Sequence, residues 1–157
     1  MSESEARSAI VAEAISWVGT PYHSNAMVKG KVGGGTDCVM LLVAVYRELG
    51  LIPPEVDPRP YPPEWHIHQH EDLYMTGILK YSREVRGPPD REPKPGDLVM
   101  FQVGRLFAHG AIVIAWPNVV HARSGSVVQF EDISKNTIGK RALWLLPKRF
   151  FSIWAEI

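Results

Sequence analysis

The sequence predicts an α+β fold in which helices come first and an antiparallel sheet follows. In the first half of the chain, apolar residues recur at helical intervals. The second half instead contains short β-branched runs separated by glycine, Pro-Asn and Ser-Gly turn residues. Neither βαβ alternation nor an internal repeat is present in the sequence. Because 157 residues suffice for one hydrophobic core, we expect residues 1–157 to form a single domain.

The first two helices have clear starting signals. Ser2 and Glu5 have capping-box spacing, and apolar residues then recur until Gly19 ends the pattern. Residues 19–36 are rich in turn-forming residues and favour a long loop, which in compact domains is typically functional. A second helix begins at Cys38, because the run VMLLVAVYREL that follows is apolar nearly all round, as in a buried helix.

A third helix and five strands complete the predicted order of elements. Helical spacing over residues 73–85 predicts the helix, after a proline-rich stretch at residues 53–63. The predicted strands are LVMFQV, HGAIVIAW, VVHAR, SVVQF and ALWLL. The tail KRFFSIWAEI is apolar enough to pack on the sheet or to contact a partner, and both alternatives remain open.

Composition excludes several classes of partner. The 17 basic residues equal the 17 acidic residues, so no excess charge indicates nucleic acid or an anionic membrane. No apolar run approaches the roughly 20 residues that span a bilayer. The N-terminus MSESEARSAI lacks the basic and long apolar segments of a secretory signal peptide. We therefore expect synthesis in the cytoplasm, with neither nucleic acid nor a membrane as a partner.

The single cysteine lies in GGGTDCVMLL, at residues 33–42, after three glycines and at a predicted helix start. One cysteine excludes an internal disulfide. A helix N-terminus stabilises a thiolate, and the glycines leave room for a substrate to approach the sulfur. A small core residue is the alternative, because free cysteine is among the most buried residue types. The local context of Cys38 leaves both interpretations open.

Two histidines in the predicted strands could serve this thiol. His109 lies in FAHGAIVIAW and His121 lies in NVVHARSG. Alone, each histidine is typical of a hydrogen-bonded core or edge residue. A hairpin that turns at residues 117–118 would place the two side by side, so that one activates Cys38 while the other orients the first.

Other polar stretches have simpler interpretations. On a strand, the three histidines of WHIHQH would form one metal-binding face, but no second ligand cluster accompanies them. We expect a solvated helix start there, and no metal. The acidic EDISK and basic GKR stretches are typical of solvated surface. We expect no cofactor, because no phosphate-cradling glycine motif follows a strand.

The order of these pieces resembles the NlpC/P60 family of papain-like cell-wall cysteine peptidases. The shared pieces are WVGTPY, a glycine-containing loop that leads to Asp37 and Cys38, then PGDLVMF, His109 and His121. The stretch GTPYHSNAMVKG and the proline-rich segment with Trp65 resemble the phage-encoded branch of the family. Members of that branch are associated with tail assembly.

The resemblance implies a papain-like fold in which the cysteine-bearing helix packs on an antiparallel, barrel-like sheet. It implies that Cys38 attacks a carbonyl, that His109 is general base and then acid, and that His121 holds His109. Tyr22 would line the site near the oxyanion, and Asp37 would face the amine of the substrate. The backbone N–H of Cys38 would donate to the oxyanion.

The chain departs from the family pattern beside the nucleophile. Val39 and Met40 stand where the family usually has the serine and glycine of DCSG, and Gly110 and Ala111 replace the usual valine and glycine after the first histidine. The nucleophilic residues are therefore kept, while the specificity pocket is altered.

The resemblance implies hydrolysis of amide bonds in peptidoglycan stem peptides, where the family usually cuts beside D-glutamate. It also implies incorporation into a phage tail, with phage tail proteins as partners. One alternative is a non-catalytic tail-assembly protein on the same fold. Another is acyl transfer or deamidation by the same thiol, which would use the same residues and a different acceptor.

Overall fold

The computed structural model describes residues 1–62, 73–139 and 142–154. The helices in these ranges are α1 (Glu3–Ser16), α2 (Cys38–Glu48) and α3 (Leu73–Tyr81). The strands are β1 (Met27–Val28), β2 (Gly35–Thr36), β3 (Arg83–Val85), β4 (Leu98–Val103), β5 (Leu106–Ala115), β6 (Asn118–Ala122), β7 (Val128–Asp132) and β8 (Lys148–Ser152). Two short 3-10 helices, Ile133–Lys135 and Leu143–Leu145, lie between β7 and β8. The WHIHQH segment and most of the GKR stretch lie outside the described residues.

A six-stranded sheet with the order β3-β8-β4-β5-β6-β7 forms the scaffold. Strands β4 to β7 form a meander, because each pairs antiparallel with the next along the chain. Strand β8 returns to pair with β4, and β3 pairs with β8 at the edge. The predicted α+β fold is confirmed.

Both faces of the sheet are buried, since alternate residues of its strands belong to two separate cores. On β4, Leu98 and Met100 join the core that the three helices cover, whereas Val99 and Phe101 join a second core. The second core is covered by the 3-10 segments through residues such as Ile133, which is fully buried. The two-residue period of the strands thus separates a helical side of the sheet from an opposite side.

Helix α2 is the central element of the helical side. Its residues Leu41 and Val45 are fully buried, and burial of each such side chain contributes about 1.5–3 kcal/mol to folding. The prediction of a buried helix that starts at Cys38 is confirmed. The capping box of α1 is confirmed as well, since Ser2 Oγ accepts from Glu5 N and Glu5 Oε2 accepts from Ser2 N.

Two sequence predictions about elements were wrong. ALWLL forms a 3-10 turn in which Leu143 is buried and Leu145 is exposed, so its apolar residues do not all face the sheet. The last strand lies instead in the tail, at Lys148–Ser152, which packs on the sheet. The third helix stops at Tyr81, and Arg83–Val85 becomes a strand because pairing with β8 overrides the local helical spacing.

The PGD turn before β4 is held by a buried charge cluster. Asp97 accepts hydrogen bonds from Arg7 Nη1, Arg91 Nη1 and Lys94 N, each at 2.8 Å. Asp97 is fully buried, and Arg7 is nearly so. At the neighbouring residue, Gly96 has φ +85°, in the left-handed region that favours glycine. The cluster therefore ties α1 to the start of the sheet.

We expect Asp97→Ala to lower the free energy of unfolding by about 3–5 kcal/mol, since it leaves the buried Arg7 and the partly buried Arg91 without the Asp97 carboxylate. Glu84→Ala is the control, because Glu84 pairs with Arg149 at an exposed position and its loss should cost less than about 1 kcal/mol. Urea unfolding at neutral pH measures both. Equal losses for the two variants would contradict a structural role for the Asp97 cluster.

Candidate active site

Asp37 and Cys38 form the start of α2. Asp37 is the N-cap, and its Oδ1 accepts from Met40 N at 2.8 Å, which satisfies one of the free N–H groups at the helix start. Cys38 is the first helical residue, and its thiol is directed at β5. Its Sγ lies 3.8 Å from Ala108 O, and the Gly110 backbone is near enough to act on the thiol pKa, which it lowers.

The thiol occupies an open edge of β5. Val113 directs its N–H and C=O to the β4 side, where they bond Asp97 and Gly96. Ala108 and Gly110 are an odd number of residues from Val113 along the strand, so their backbone N–H and C=O groups point the other way, to the β6 side. The pairing of β5 with β6 extends only as far as Ile112 on β5. Cys38 therefore contacts backbone groups on both sides of His109 at a point where β6 does not cover them.

The β5–β6 hairpin brings the two predicted histidines together. His109 Nε2 lies 2.8 Å from His121 Nδ1, and the rings meet edge to face with centroids 5.1 Å apart. His121 is fully buried, whereas His109 is partly exposed. The expectation that the hairpin places them side by side is confirmed. Because Nε2 of His109 is engaged, Nδ1 is the ring nitrogen left for the thiol.

Glu131 extends this arrangement to a third strand. His121 Nε2 lies 2.6 Å from Glu131 Oε2. Gln129 is directly opposite His121, so Glu131 is the diagonal neighbour on the same face of the β6–β7 pair. The prediction that EDISK is ordinary solvated surface was wrong for Glu131. No local pattern in the sequence marks Glu131, because its contact with His121 depends on the register of β6 against β7.

The free site holds a neutral thiol and a neutral imidazole. Burial, followed by the negative charge of Asp37, raises the pKa of the Cys38 thiol to about 12. Burial, followed by the neighbouring His121 ring and the charge of Arg123, lowers the pKa of His109 to about 3. The expectation of a thiolate stabilised by the helix start was wrong, because desolvation and the adjacent carboxylate outweigh the helix dipole. Within the described residues, no hydrogen bond joins Sγ to the His109 ring.

The carboxylate of Asp37 is already engaged by neighbouring groups. Its Oδ2 accepts from Asn25 N at 2.7 Å and from the Tyr61 hydroxyl, and Asp37 is only 2% exposed. Asn25 also holds Tyr61 in place through two hydrogen bonds to the Tyr61 backbone. The role of Asp37 towards a substrate amine stays a prediction. Sequence reasoning missed Tyr61, which comes from the proline-rich stretch.

Two further tyrosines lie near Cys38. Tyr22 is partly buried, and burial together with the charges of Cys38 and Asp37 raises its pKa. Its predicted position beside the thiol is consistent with this coupling, while its role at the oxyanion stays a prediction. The Tyr74 hydroxyl donates to Cys38 O at 2.6 Å. A Cβ at Gly110 would lie 2.6 Å from that hydroxyl, so glycine there leaves room for Tyr74.

Among the described residues, no group of three or more His, Cys, Asp or Glu side chains could hold a metal ion. No described helix has the length and apolar character needed to cross a bilayer.

A model of the NlpC/P60 family matches residues 19–146. The chain belongs to the NlpC/P60 family. The matched residues include the helix start at Cys38, both histidines and Glu131. None of the curated protein sequences matches the chain significantly.

Solved structures of NlpC/P60 domains share the fold. The NlpC/p60 domain of the peptidoglycan hydrolase SagA is 21% identical with a TM-score of 0.56, over 91% of this chain and 96% of that domain. NlpC1 of Trichomonas vaginalis is 16% identical with a TM-score of 0.63, over 96% of this chain and 44% of NlpC1. RipD of Mycobacterium tuberculosis, a non-catalytic NlpC/p60 domain protein adapted to peptidoglycan binding, is 16% identical with a TM-score of 0.54, over 95% of this chain and 98% of RipD. At these identities the likeness shows the fold alone. The papain-like α+β arrangement expected of an NlpC/P60 domain is confirmed.

We expect the alkylation rate of Cys38 by iodoacetamide to rise about tenfold per pH unit from about pH 7 to about pH 10, since the thiolate fraction does so below the thiol pKa. A thiol with the ordinary pKa of about 8.5 would instead level off within this range. Mass spectrometry of the alkylated protein at each pH gives the rate.

The urea-unfolded protein is the matched control, because Cys38 is its single thiol and should level off above about pH 8.5. Since the folded pKa is the higher one, the stability due to this group is present below about pH 8.5 and is lost as pH rises towards about 12. A folded protein that reaches its maximal rate at or below neutral pH would contradict the neutral thiol.

Proposed function

We propose that this NlpC/P60 protein is a cysteine peptidase that hydrolyses amide bonds in peptidoglycan stem peptides. The observation that carries the proposal is the placement of the Cys38 thiol on the backbone around His109, whose Nε2 is held by His121 at 2.8 Å. Family membership and the shared fold with the peptidoglycan hydrolase SagA support the substrate class.

The reaction uses the nitrogen of His109 that His121 leaves open. Sγ of Cys38 attacks the scissile carbonyl carbon while Nδ1 of His109 takes the thiol proton. The negative charge moves to the carbonyl oxygen, where the Cys38 N–H at the start of α2 can donate to it. Because the resting pair is neutral, proton transfer accompanies the attack rather than preceding it.

The intermediate then collapses in two stages. The C–N bond breaks, and His109 gives its proton to the leaving amine, which leaves an acyl thioester on Cys38. Water attacks the thioester as Nδ1 of His109 takes one of its protons. The thioester bond breaks, the acid product leaves, and the proton on His109 returns to the sulfur.

Specificity depends on groups that differ from the usual family pattern. Val39 packs against the helical core in the position of the usual serine, so this residue offers the substrate no hydroxyl. Tyr61 covers Asp37, so a substrate amine reaches that carboxylate only by sharing or displacing the Tyr61 hydroxyl. The proposal therefore covers stem-peptide amide bonds as a class, without selecting the bond beside D-glutamate.

A second candidate is a non-catalytic protein on the same fold, as in RipD. The neutral resting thiol and the DCVM sequence favour it. A role in phage tail assembly, with tail proteins as partners and the virion as location, belongs to this candidate or to the peptidase and rests on the GTPYHSNAMVKG resemblance. Acyl transfer by Cys38 would follow the same steps with an acceptor other than water.

We expect wild-type protein to release peptide fragments from purified muropeptides, identified by mass, and Cys38→Ala to release none. His109→Ala should lose activity about 10²- to 10⁴-fold as the loss of a general base. His121→Asn should retain more activity than His121→Ala, because the amide oxygen of asparagine can replace Nδ1 as the acceptor for His109.

Gln129→Ala is the control for these variants, because Gln129 pairs opposite His121 and, among the residues that the structure describes, its side chain bonds Ser126 rather than a histidine. All variants are compared at equal folded fraction. If His109→Ala stays active while His121→Asn is inactive, the roles of base and orienting residue are reversed. If the wild-type protein cleaves muropeptides of no peptidoglycan type, the non-catalytic candidate replaces the peptidase.

A further inference from the structure

We infer that Glu131 is a positioning residue that fixes the tautomers of both histidines, so that Nδ1 of His109 is the basic nitrogen. The catalytic role of Glu131 rests on the proposed peptidase function. The inference also fixes which nitrogen of each histidine carries the proton, and this can be measured without any substrate.

The first step concerns the bond between Glu131 and His121. The hydrogen bond from His121, aided by Arg123, lowers the pKa of Glu131, so its carboxylate is ionised and can only accept. The 2.6 Å contact with Oε2 therefore requires a proton on His121 Nε2. His121 is fully buried, which shields this bond from competition with water.

The second step carries this constraint to His109. A neutral imidazole has one N–H group, so a proton on Nε2 of His121 leaves its Nδ1 as an acceptor. The 2.8 Å contact then requires the proton of His109 to lie on Nε2. Nδ1 of His109 is left unprotonated, and it is the nitrogen available to the thiol of Cys38.

Without Glu131, the same two rings could bond with the opposite polarity. His121 would then carry its proton on Nδ1 and donate to His109, whose own proton would move to Nδ1. In that arrangement His109 has no basic nitrogen for the thiol. Glu131 excludes this alternative, because an ionised carboxylate can only accept a hydrogen bond from His121.

The other contacts of Glu131 leave Oε2 to His121. Arg123 Nη1 at 3.5 Å and Asn136 Nδ2 at 3.4 Å both approach Oε1. These longer contacts orient the carboxylate, whereas the short contact is made to the ring nitrogen. The two carboxylate oxygens therefore have different partners. Arg123 and Asn136 orient the carboxylate through Oε1, and Oε2 accepts from His121.

The test is nitrogen NMR of protein labelled with ¹⁵N-histidine at about pH 8, where neutral rings are read by the distinct shifts of protonated and unprotonated nitrogens. We expect both His109 and His121 to carry the proton on Nε2. Signals are assigned by their loss in His109→Gln and His121→Gln. A wild-type His109 with its proton on Nδ1 overturns the inference, and this result depends on no variant of Glu131.

Glu131→Ala should shift both rings towards a mixture with protonated Nδ1. Asp132→Ala is the matched control, because Asp132 is the adjacent acid and its carboxylate bonds Ser134 instead of a histidine. It should leave both tautomers unchanged. Unchanged tautomers in folded Glu131→Ala overturn the inference.

Turnover of muropeptides separates this inference from the proposed function. In Glu131→Ala, kcat should fall about 10- to 100-fold with KM unchanged, as expected when a histidine loses its orienting partner. Expected tautomers in a wild type that cleaves nothing would refute the peptidase and keep the role of Glu131. Wild-type kcat in Glu131→Ala, from an active enzyme, would refute the role of Glu131 and keep the peptidase.

Discussion

The buried carboxylate of Asp37 is the group on which the geometry of the site depends. One oxygen starts α2 by accepting from Met40, and the other holds the loop before β1 and the proline-rich stretch through Asn25 and Tyr61. Three separate segments of chain therefore meet at one charge. The same charge raises the pKa of the adjacent thiol, so the group that places Cys38 also opposes its ionisation.

The three hydrogen-bonded polar side chains of the site lie on strands rather than on loops. His109 is on β5, His121 is on β6 and Glu131 is on β7. These strands are consecutive in the meander, and the three residues lie on the face of the sheet that carries the second core. The helices cover the opposite face, so the thiol approaches the backbone beside His109 at the open edge of β5. Groups fixed by strand pairing keep their geometry better than groups on loops do.

The succession of helices and then an antiparallel sheet, and the start of α2 at Cys38, were predictable because periodicity, capping and turn residues act over a few neighbouring positions. The pairing of His109 with His121 was predictable for a similar reason, since a single tight hairpin joins them. The swap between ALWLL and the tail was not predictable, because both are apolar and only tertiary pairing selects which one joins β4.

Charge environments were the hardest feature to predict. Glu131 resembles any solvated acid in the sequence, and its contact with His121 requires the register of β6 and β7. The pKa of Cys38 depends on how much of the site is desolvated, and no local pattern reports that. Tyr61 was missed because a proline-rich stretch carries no periodic signal that says where its side chains point.

At Gly110 and Ala111, the side-chain volume on the two faces of β5 differs from that of the usual family valine and glycine. The usual family valine would stand on the helical side, where the Tyr74 hydroxyl and Met100 now fill the space, while Ala111 adds a methyl group to the opposite side. Substitutions at positions 110 and 74 are therefore coupled. A side chain added at position 110, or a change at position 74 alone, would disturb the hydrogen bond from the Tyr74 hydroxyl to the Cys38 carbonyl. Sequence change at this strand has to proceed by paired substitutions, so homologous chains with a bulkier residue at position 110 should carry a smaller or differently placed side chain at position 74.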